Sequence, residues 1–360
     1  MFIRLNTYMC VALVISLAVA STALCQTKKD RPIKILVYHD MEGLSGEDDW
    51  RMFSFRHKEQ YRKGQELLVA DVNAVIDGLF AGGASVVQVV DAHGSGNPDP
   101  DILLDRLDPR SSMVVRDKPF RQYVDLVEPG AYDAVAVVGM HAKTGSGGFA
   151  SHTFTLGMDI FMNDMSITET ELIGYSWGRV DVPVIFASGD DKLAKDLQTM
   201  PWIEFVTVKK ATSGSTADLR PLEEVHAEMR QAAARAVRNI GKANAMKLAT
   251  PIKVSLRVVP PAGLDRLKSV PGINYSENMV TFLADDFGKA YDGVIALIGV
   301  ATAGYISVTN ETIRKLPNGE VLADQIGDSL SVRWLDYESG RWKPEPPPAP
   351  PAGRKYYGAR

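Results

Sequence analysis

The chain has 360 residues, 45% of them hydrophobic and 23% charged, with a formal net charge of −4. That suits a soluble globular protein of one large or two modest domains. The acidic balance gives a nucleic-acid role no electrostatic support.

The first 25 residues read as an export signal: Arg4 at the start, an apolar core from Cys10 to Ala20 that is too short to span a bilayer, then small residues. Cleavage fits after Ala20 or after Cys25. Lipidation of Cys25 is disfavoured by the bulky Leu24 before it. The expected location is the periplasm or outside the cell. Both cysteines, Cys10 and Cys25, lie in this segment. The mature chain must therefore rely on its core rather than on disulfides. Any metal site must use histidine and carboxylate without thiolate.

Ile33 to Gly46 reads IKILVYHDMEGLSG. Its apolar run predicts a buried strand that releases Asp40 and Glu42 into a glycine-rich turn. Two carboxylates at such an exit are costly unless paired or bound to a cation. Tyr61 to Ala81 carries apolar residues at helical spacing, and Gly82-Gly83 stops it. Ser85 to Val90 predicts a second buried strand, ending in Asp91-Ala92-His93. The order strand, helix, strand implies a parallel sheet, in which ligands sit beyond the carboxyl ends of the strands.

Ser112 to Val115 predicts a short strand, and Ala134 to Val138 a longer one that ends in Gly139-Met140-His141. The loop Lys143 to Gly148 lacks the features of a phosphate loop and reads as a lid or connector. His152 to Ile167 predicts a hairpin turning at Asn163-Asp164. Thr168 predicts the cap of a helix that starts with Glu169 and Glu171. Val184 to Ala187 is another buried strand, with Asp190 and Asp191 as helix caps or as supports for a ligand. A helix to about Met200, a strand near Glu204 to Val208 and a helix from Pro221 to about Ala245 follow. From Ile252 the pattern alternates. It predicts a half-exposed strand, a short helix near Ala262 to Lys268, a strand near Met279 to Leu283 and a helix near Phe287 to Ile298. Val332 to Tyr337 reads as a hairpin strand, and Pro344 to Pro351 as an extended tail.

The expected fold class is α/β, a three-layer sandwich around a largely parallel sheet, with a smaller α+β subdomain. The expected divisions are the signal peptide 1–25, a metal-binding catalytic domain 32–250, a small subdomain 251–304 completing the core, and an extension 305–360.

Asp40, Glu42, His93 and His141 should converge at one sheet edge. Imidazole plus carboxylate suits zinc, with manganese or iron as alternatives. Five ligands with a shared aspartate suit two metals about 3.5–4 Å apart. Glu169 is the natural extra carboxylate, because Glu171 faces away two residues along a helix. His39, His57 and His226 read as structural or surface residues.

Asp40-Met41-Glu42-Gly43, Asp91-Ala92-His93, Gly139-Met140-His141-Ala142, Ser151-His152, and Asn163-Asp164 with Glu169 occur in that order. In this they resemble the bacterial D-aminopeptidase (DppA-type) zinc metallopeptidases. Ala187-Ser188-Gly189-Asp190-Asp191 and Val208-Lys209 also match that pattern, and the similarity runs from about Ile33 to Gly304. The resemblance implies a dinuclear zinc site with Asp40 bridging and Glu42, His93, His141 and Glu169 as the other ligands. His152 would be the catalytic residue outside the metal shell, as a nucleophile. The resemblance also implies a ring-like homo-oligomer, a decamer, that releases N-terminal D-amino acids from short peptides. The export signal and the extension after Gly304 depart from the best-known members. The expectation is an exported zinc aminopeptidase acting on short peptides, without nucleic-acid partner or membrane span. Another metal-dependent amide or ester hydrolase and a periplasmic peptide-binding protein are the rivals.

Overall fold

The computed structural model describes residues 31–276, 278–302 and 311–345. The expected signal peptide and the tail from residue 346 onward lie outside the described residues. Among the described residues, no helix is long and apolar enough to cross a membrane.

Apolar runs build the first sheet: β1 (Lys34–His39), β2 (Val86–Asp91), β3 (Ser112–Met113), β4 (Ala134–Met140), β7 (Val184–Asp190), β8 (Glu204–Ser213) and β9 (Thr216–Leu219). Their order is β3-β2-β1-β4-β7-β8-β9. Every pairing is parallel except β8 with β9. The chain leaves β1 to one side for β2 and β3, then returns to its other side for β4. That reversal makes the carboxyl end of β1 a switch point, where a crevice opens.

The second sheet is antiparallel and joins distant segments. β5 (Met158–Met162) and β6 (Met165–Ser166) form the hairpin, with Asn163 and Asp164 at positive φ in its turn. β5 then pairs with β10 (Ile252–Val258), which pairs with β12 (Met279–Ala284) and through it with β11 (Asn274–Ser276).

Alternation along the central strands sorts the helices into layers. α1 (Lys58–Gly82) and α4 (Leu222–Arg238) pack on each other and on one face of the first sheet. On the other face, Leu36, Tyr38, Val135 and Val137 join one core with α2 (Glu169–Gly178), the inner side of the second sheet, and α5 (Phe287–Thr302). α1 ends at Gly83, whose φ of 110° allows its amide to close on Leu79 and Phe80. α3 (Asp191–Asp196) starts on Asp190, whose carboxylate accepts the amides of Lys192 and Leu193. α4 stops at Arg238, short of Ala245, because Asn239 and Gly241 favour a helix end there.

The expected strand at Val332 to Tyr337 is instead part of α6 (Gly319–Glu338). Ala323, Gly327, Ser331, Trp334 and Glu338, with Leu335 beside Trp334, turn toward the protein, and steps of three or four along this series are a helical period. Small and polar residues make most of these contacts, so hydrophobicity alone concealed the period. The connector at Lys143 to Gly148 is tied to this helix. The Gly145 amide donates to both Glu338 carboxylate oxygens at 2.9 and 3.0 Å, and the Gly147 amide donates to one at 3.3 Å.

Candidate metal centre

Three adjacent strands release the candidate residues at one edge. Asp40 and Glu42 follow β1, His93 follows β2 and His141 follows β4. The turns after β1 and β4 interlock. A Cβ on Gly43 would stand 1.8 Å from the Met140 carbonyl oxygen, and one on Gly139 would stand 2.3 Å from that of Asp40. Instead the Gly43 amide donates to the Gly139 carbonyl at 2.8 Å, and the Asp40 amide to the Val138 carbonyl at 2.9 Å. Backbone packed on backbone holds Asp40 against His141.

Glu169 opens α2, where the helix N-terminus favours an anion. Thr168 and Glu171 form a reciprocal capping box there. Glu171 is thereby committed to the cap, and Glu169 turns to the site. His152 lies on the loop leading to β5.

The resulting cluster is buried, with Asp40, Glu42, His141, His152 and Glu169 each at most 6% exposed. His93 Nε2 lies 3.2 Å from Glu42 Oε1. His141 Nε2 lies 3.2 Å from Asp40 Oδ2 and 3.5 Å from Glu169 Oε1. The His141 and His152 rings stack with centroids 3.9 Å apart. Two sets of side chains bring ligand atoms within 4.8 Å of one another: Asp40, Glu42 and His93, and His141, His152 and Glu169. The contact between Asp40 and His141 joins the sets. His152, expected outside the shell, is thus within ligand reach of the second set.

Hydrogen bonds to other groups fix how the rings face. His141 Nδ1 donates to its neighbour's carbonyl, that of Ala142, at 3.1 Å. In the neutral ring Nε2 then carries a lone pair, and it has no hydrogen-bond partner among the described residues. A lone pair facing two carboxylate oxygens is repelled unless a cation or a proton lies between them. His152 Nδ1 donates to the Ala150 carbonyl at 2.6 Å, so its Nε2 also faces inward as an acceptor, 3.9 Å from Glu42 Oε1.

Proton affinities follow from this crowding. Burial, with Glu42 beside it, raises the Asp40 carboxyl. Burial also pushes Glu42 up, but His93 outweighs it and holds the carboxyl at about 2. Burial opposes charge on both His93 and His141, yet the surrounding carboxylates raise both well above the usual imidazole range. His152 goes the other way: burial and the neighbouring His141 push it down to about 4. The protein therefore surrounds one neutral imidazole with a charged cluster.

Three supports were not evident from sequence. Asp101 Oδ2 accepts from His93 Nδ1 at 3.0 Å, while Asp91, nearer in the chain, is taken up by the backbone amides of His93 and Asp101. A ligating histidine commonly gives its other N–H to a carboxylate, which was the available signal, but the loop hid which one. Tyr123 donates to Glu169 Oε2 at 3.0 Å. Lys209, wholly buried, donates to the Glu42 carbonyl at 2.9 Å and pairs with Glu47 at 2.7 Å, pinning the turn after β1. His39 is buried facing Asp91, and His226 pairs with Asp71. His57 pairs with Asp328. None of these three joins the cluster.

A cavity of about 320 Å³ opens above the cluster, with Trp50, Phe53, Phe154 and Tyr291 among its walls. This is at the small end of ligand pockets, roughly 300–1,000 Å³.

Comparison with known proteins places this arrangement. A curated D-aminopeptidase of Bacillus subtilis (strain 168) is 26% identical over 274 residues, covering 75% of this chain and 98% of that protein. A solved structure, described as the Zn-dependent D-aminopeptidase DppA from Bacillus subtilis, a self-compartmentalizing protease, shares the fold. Its TM-score is 0.68 at 23% identity, over 76% of this chain and 99% of that one. The profile of the D-aminopeptidase family matches residues 33–295, which hold every residue of the cluster. The chain belongs to the D-aminopeptidase family.

Proposed function

We propose that this protein is an exported aminopeptidase with two zinc ions, which removes N-terminal D-amino acids from short peptides within a closed homo-oligomer. The observation that carries the metal reading is His141 Nε2, buried without a hydrogen-bond partner among the described residues and 3.2 and 3.5 Å from Asp40 and Glu169 oxygens. Nitrogen and oxygen donors without sulfur fit zinc in a catalytic rather than a structural site. Asp40, Glu42, His93, His141 and Glu169 would hold the metal, with the Asp40–His141 contact joining the two sets of side chains. When bound, zinc supplies Lewis acidity toward the scissile amide.

The chain's own residues orient and move protons. Asp101 fixes the His93 ring, and Tyr123 and the Phe154 amide hold the two Glu169 oxygens. His152 is neutral, and its bond to Ala150 turns the Nε2 lone pair toward the cavity. In that tautomer it accepts a proton or attacks a carbonyl carbon, and it has no N–H to offer an oxyanion. The dense carboxylates suit a free N-terminal ammonium. The relative's name supports the D-aminopeptidase activity, and the neighbour's description supports zinc and self-compartmentalization.

The test is metal analysis of the gently purified protein followed by turnover of paired D- and L-aminoacyl peptides. About two zinc ions per chain and release of the N-terminal D-residue are expected. Protein without transition metal, or with metal but no peptide cleavage, overturns the reading. Light scattering reads the assembly separately, and a monomer removes only the compartment.

A further inference from the structure

The cavity above the cluster is acidic at its floor, and Arg56 is the single lysine or arginine among its lining residues. Arg56 stands at the rim with its side chain 35% exposed. Its Nε donates to Asp328 Oδ1 at 3.0 Å and its Nη2 to Ser331 Oγ at 3.3 Å. Both partners belong to α6. That helix lies beyond residue 295, where the family match ends. The Nη1 group makes no hydrogen bond among the described residues, so an arginine that keeps donors free is held in place by a helix outside the matched segment.

The helix is itself anchored at two places along its length. Asp328 also takes His57 at 3.1 Å, and the His57 ring meets Trp50, a cavity wall, edge-on at 5.2 Å. Toward its C-terminal end, Glu338 holds the Gly145 and Gly147 amides. An arginine fixed in this way loses little further freedom when it binds. Its planar fork matches a carboxylate better than any other side chain does.

We infer that Arg56, held by α6, binds the terminal carboxylate of the substrate, making this enzyme selective for short peptides with a free C-terminus. The inference rests on the aminopeptidase reading. Arg56 and the carboxylate floor line one cavity of about 320 Å³, which suits a short peptide with its amino end at the floor and its carboxylate at Arg56. Asp328 and Ser331 are positioning residues. They restrain the guanidinium and leave Nη1 to the ligand.

The test compares D-alanyl-D-alanine with D-alanyl-D-alaninamide, which lacks the terminal charge, on zinc-loaded full-length protein. The wild type should prefer the acid. Arg56→Gln should reduce the ratio of kcat/KM for acid over amide by about 10–100-fold, the scale of lost charge-assisted hydrogen bonds, at equal zinc content. Arg56→Lys should retain part of the preference, which a folding defect would not do. Asp328→Asn should raise KM for the acid with little change in kcat. A wild type that cleaves both peptides equally, or an Arg56→Gln variant with the wild-type ratio, overturns the inference and leaves the aminopeptidase standing. A wild type that cleaves neither peptide, in the D or the L series, overturns both.

Discussion

Replacing Asp101 by asparagine keeps the side chain's shape and changes what His93 faces. Asp101 Oδ1 accepts the hydroxyls of Tyr61 and Ser95, while Oδ2 accepts His93 Nδ1 at 3.0 Å. An asparagine has one acceptor oxygen, and two hydroxyl donors claim it. Its NH2 group is then left against His93 Nδ1, which must become the acceptor. The imidazole proton moves to Nε2, the atom 3.2 Å from Glu42 Oε1 where a metal would bind. Supports of this kind are typically worth 10–100-fold in metal affinity, or about 1.4–2.7 kcal/mol. Asp101→Asn should fall at the upper end because it reverses the ring. Asp101→Ala removes the acceptor without imposing the wrong tautomer and should cost less. Zinc affinity is read by chelator competition, and a thermal melt of each variant controls for folding. An Asp101→Asn protein that holds zinc as tightly as the wild type would refute the reasoning.

His152→Ala should keep its zinc and lose turnover by about 10²–10⁴, as for removal of a general base; loss of an ion from the same preparation would make His152 a ligand. Glu338 is raised from 4.5 to about 7, chiefly by burial and despite the amides of Gly145 and Gly147. A carboxyl raised on folding adds stability below its unfolded value, and that stability is lost as pH rises through about 7. The effect is at most about 3 kcal/mol. Glu338→Gln stays neutral, so it should remove the decline between pH 5 and 8, and urea melts that track the wild type across that range would count against the assignment.

The parts of the site that were legible in the sequence are those fixed by local rules. A continuous apolar run must end, and Asp40, His93 and His141 stand where three such runs end. Thr168 is a local capping signal, and helical geometry turns Glu171 away from Glu169; the capping box that occupies Glu171 is visible only in the structure. What was not legible depends on long-range contacts. Asp101 reaches His93 from the far end of a glycine- and proline-rich loop, and Tyr123 approaches Glu169 from a different part of the chain. The pairing of β5 with β10 spans about ninety residues and has no local mark. α6 was misread for a different reason: Trp334 and Leu335 are the large apolar residues of its inner face, and the rest is Ala323, Gly327, Ser331 and Glu338, too few hydrophobic positions to show a helical period.

The burial of this cluster concentrates acidic groups away from water. Asp40, Glu42, Asp101 and Glu169 are four buried carboxyl groups, and His93 and His141 are the two imidazoles beside them whose proton affinity is raised. Burial first, and then Glu42 beside it, raises Asp40 toward its neutral form. Unpaired charge at such a place tends to swell the site or admit water. The turns resist that by contacts that tolerate no expansion: Gly43 and Gly139 interlock backbone on backbone, and Lys209 draws Glu42 and Glu47 together from beneath. Binding of cations would relieve the imbalance and release the protons that otherwise serve in their place. On that reading, the turns that hold the acids together would set the affinity for metal as much as the ligands themselves.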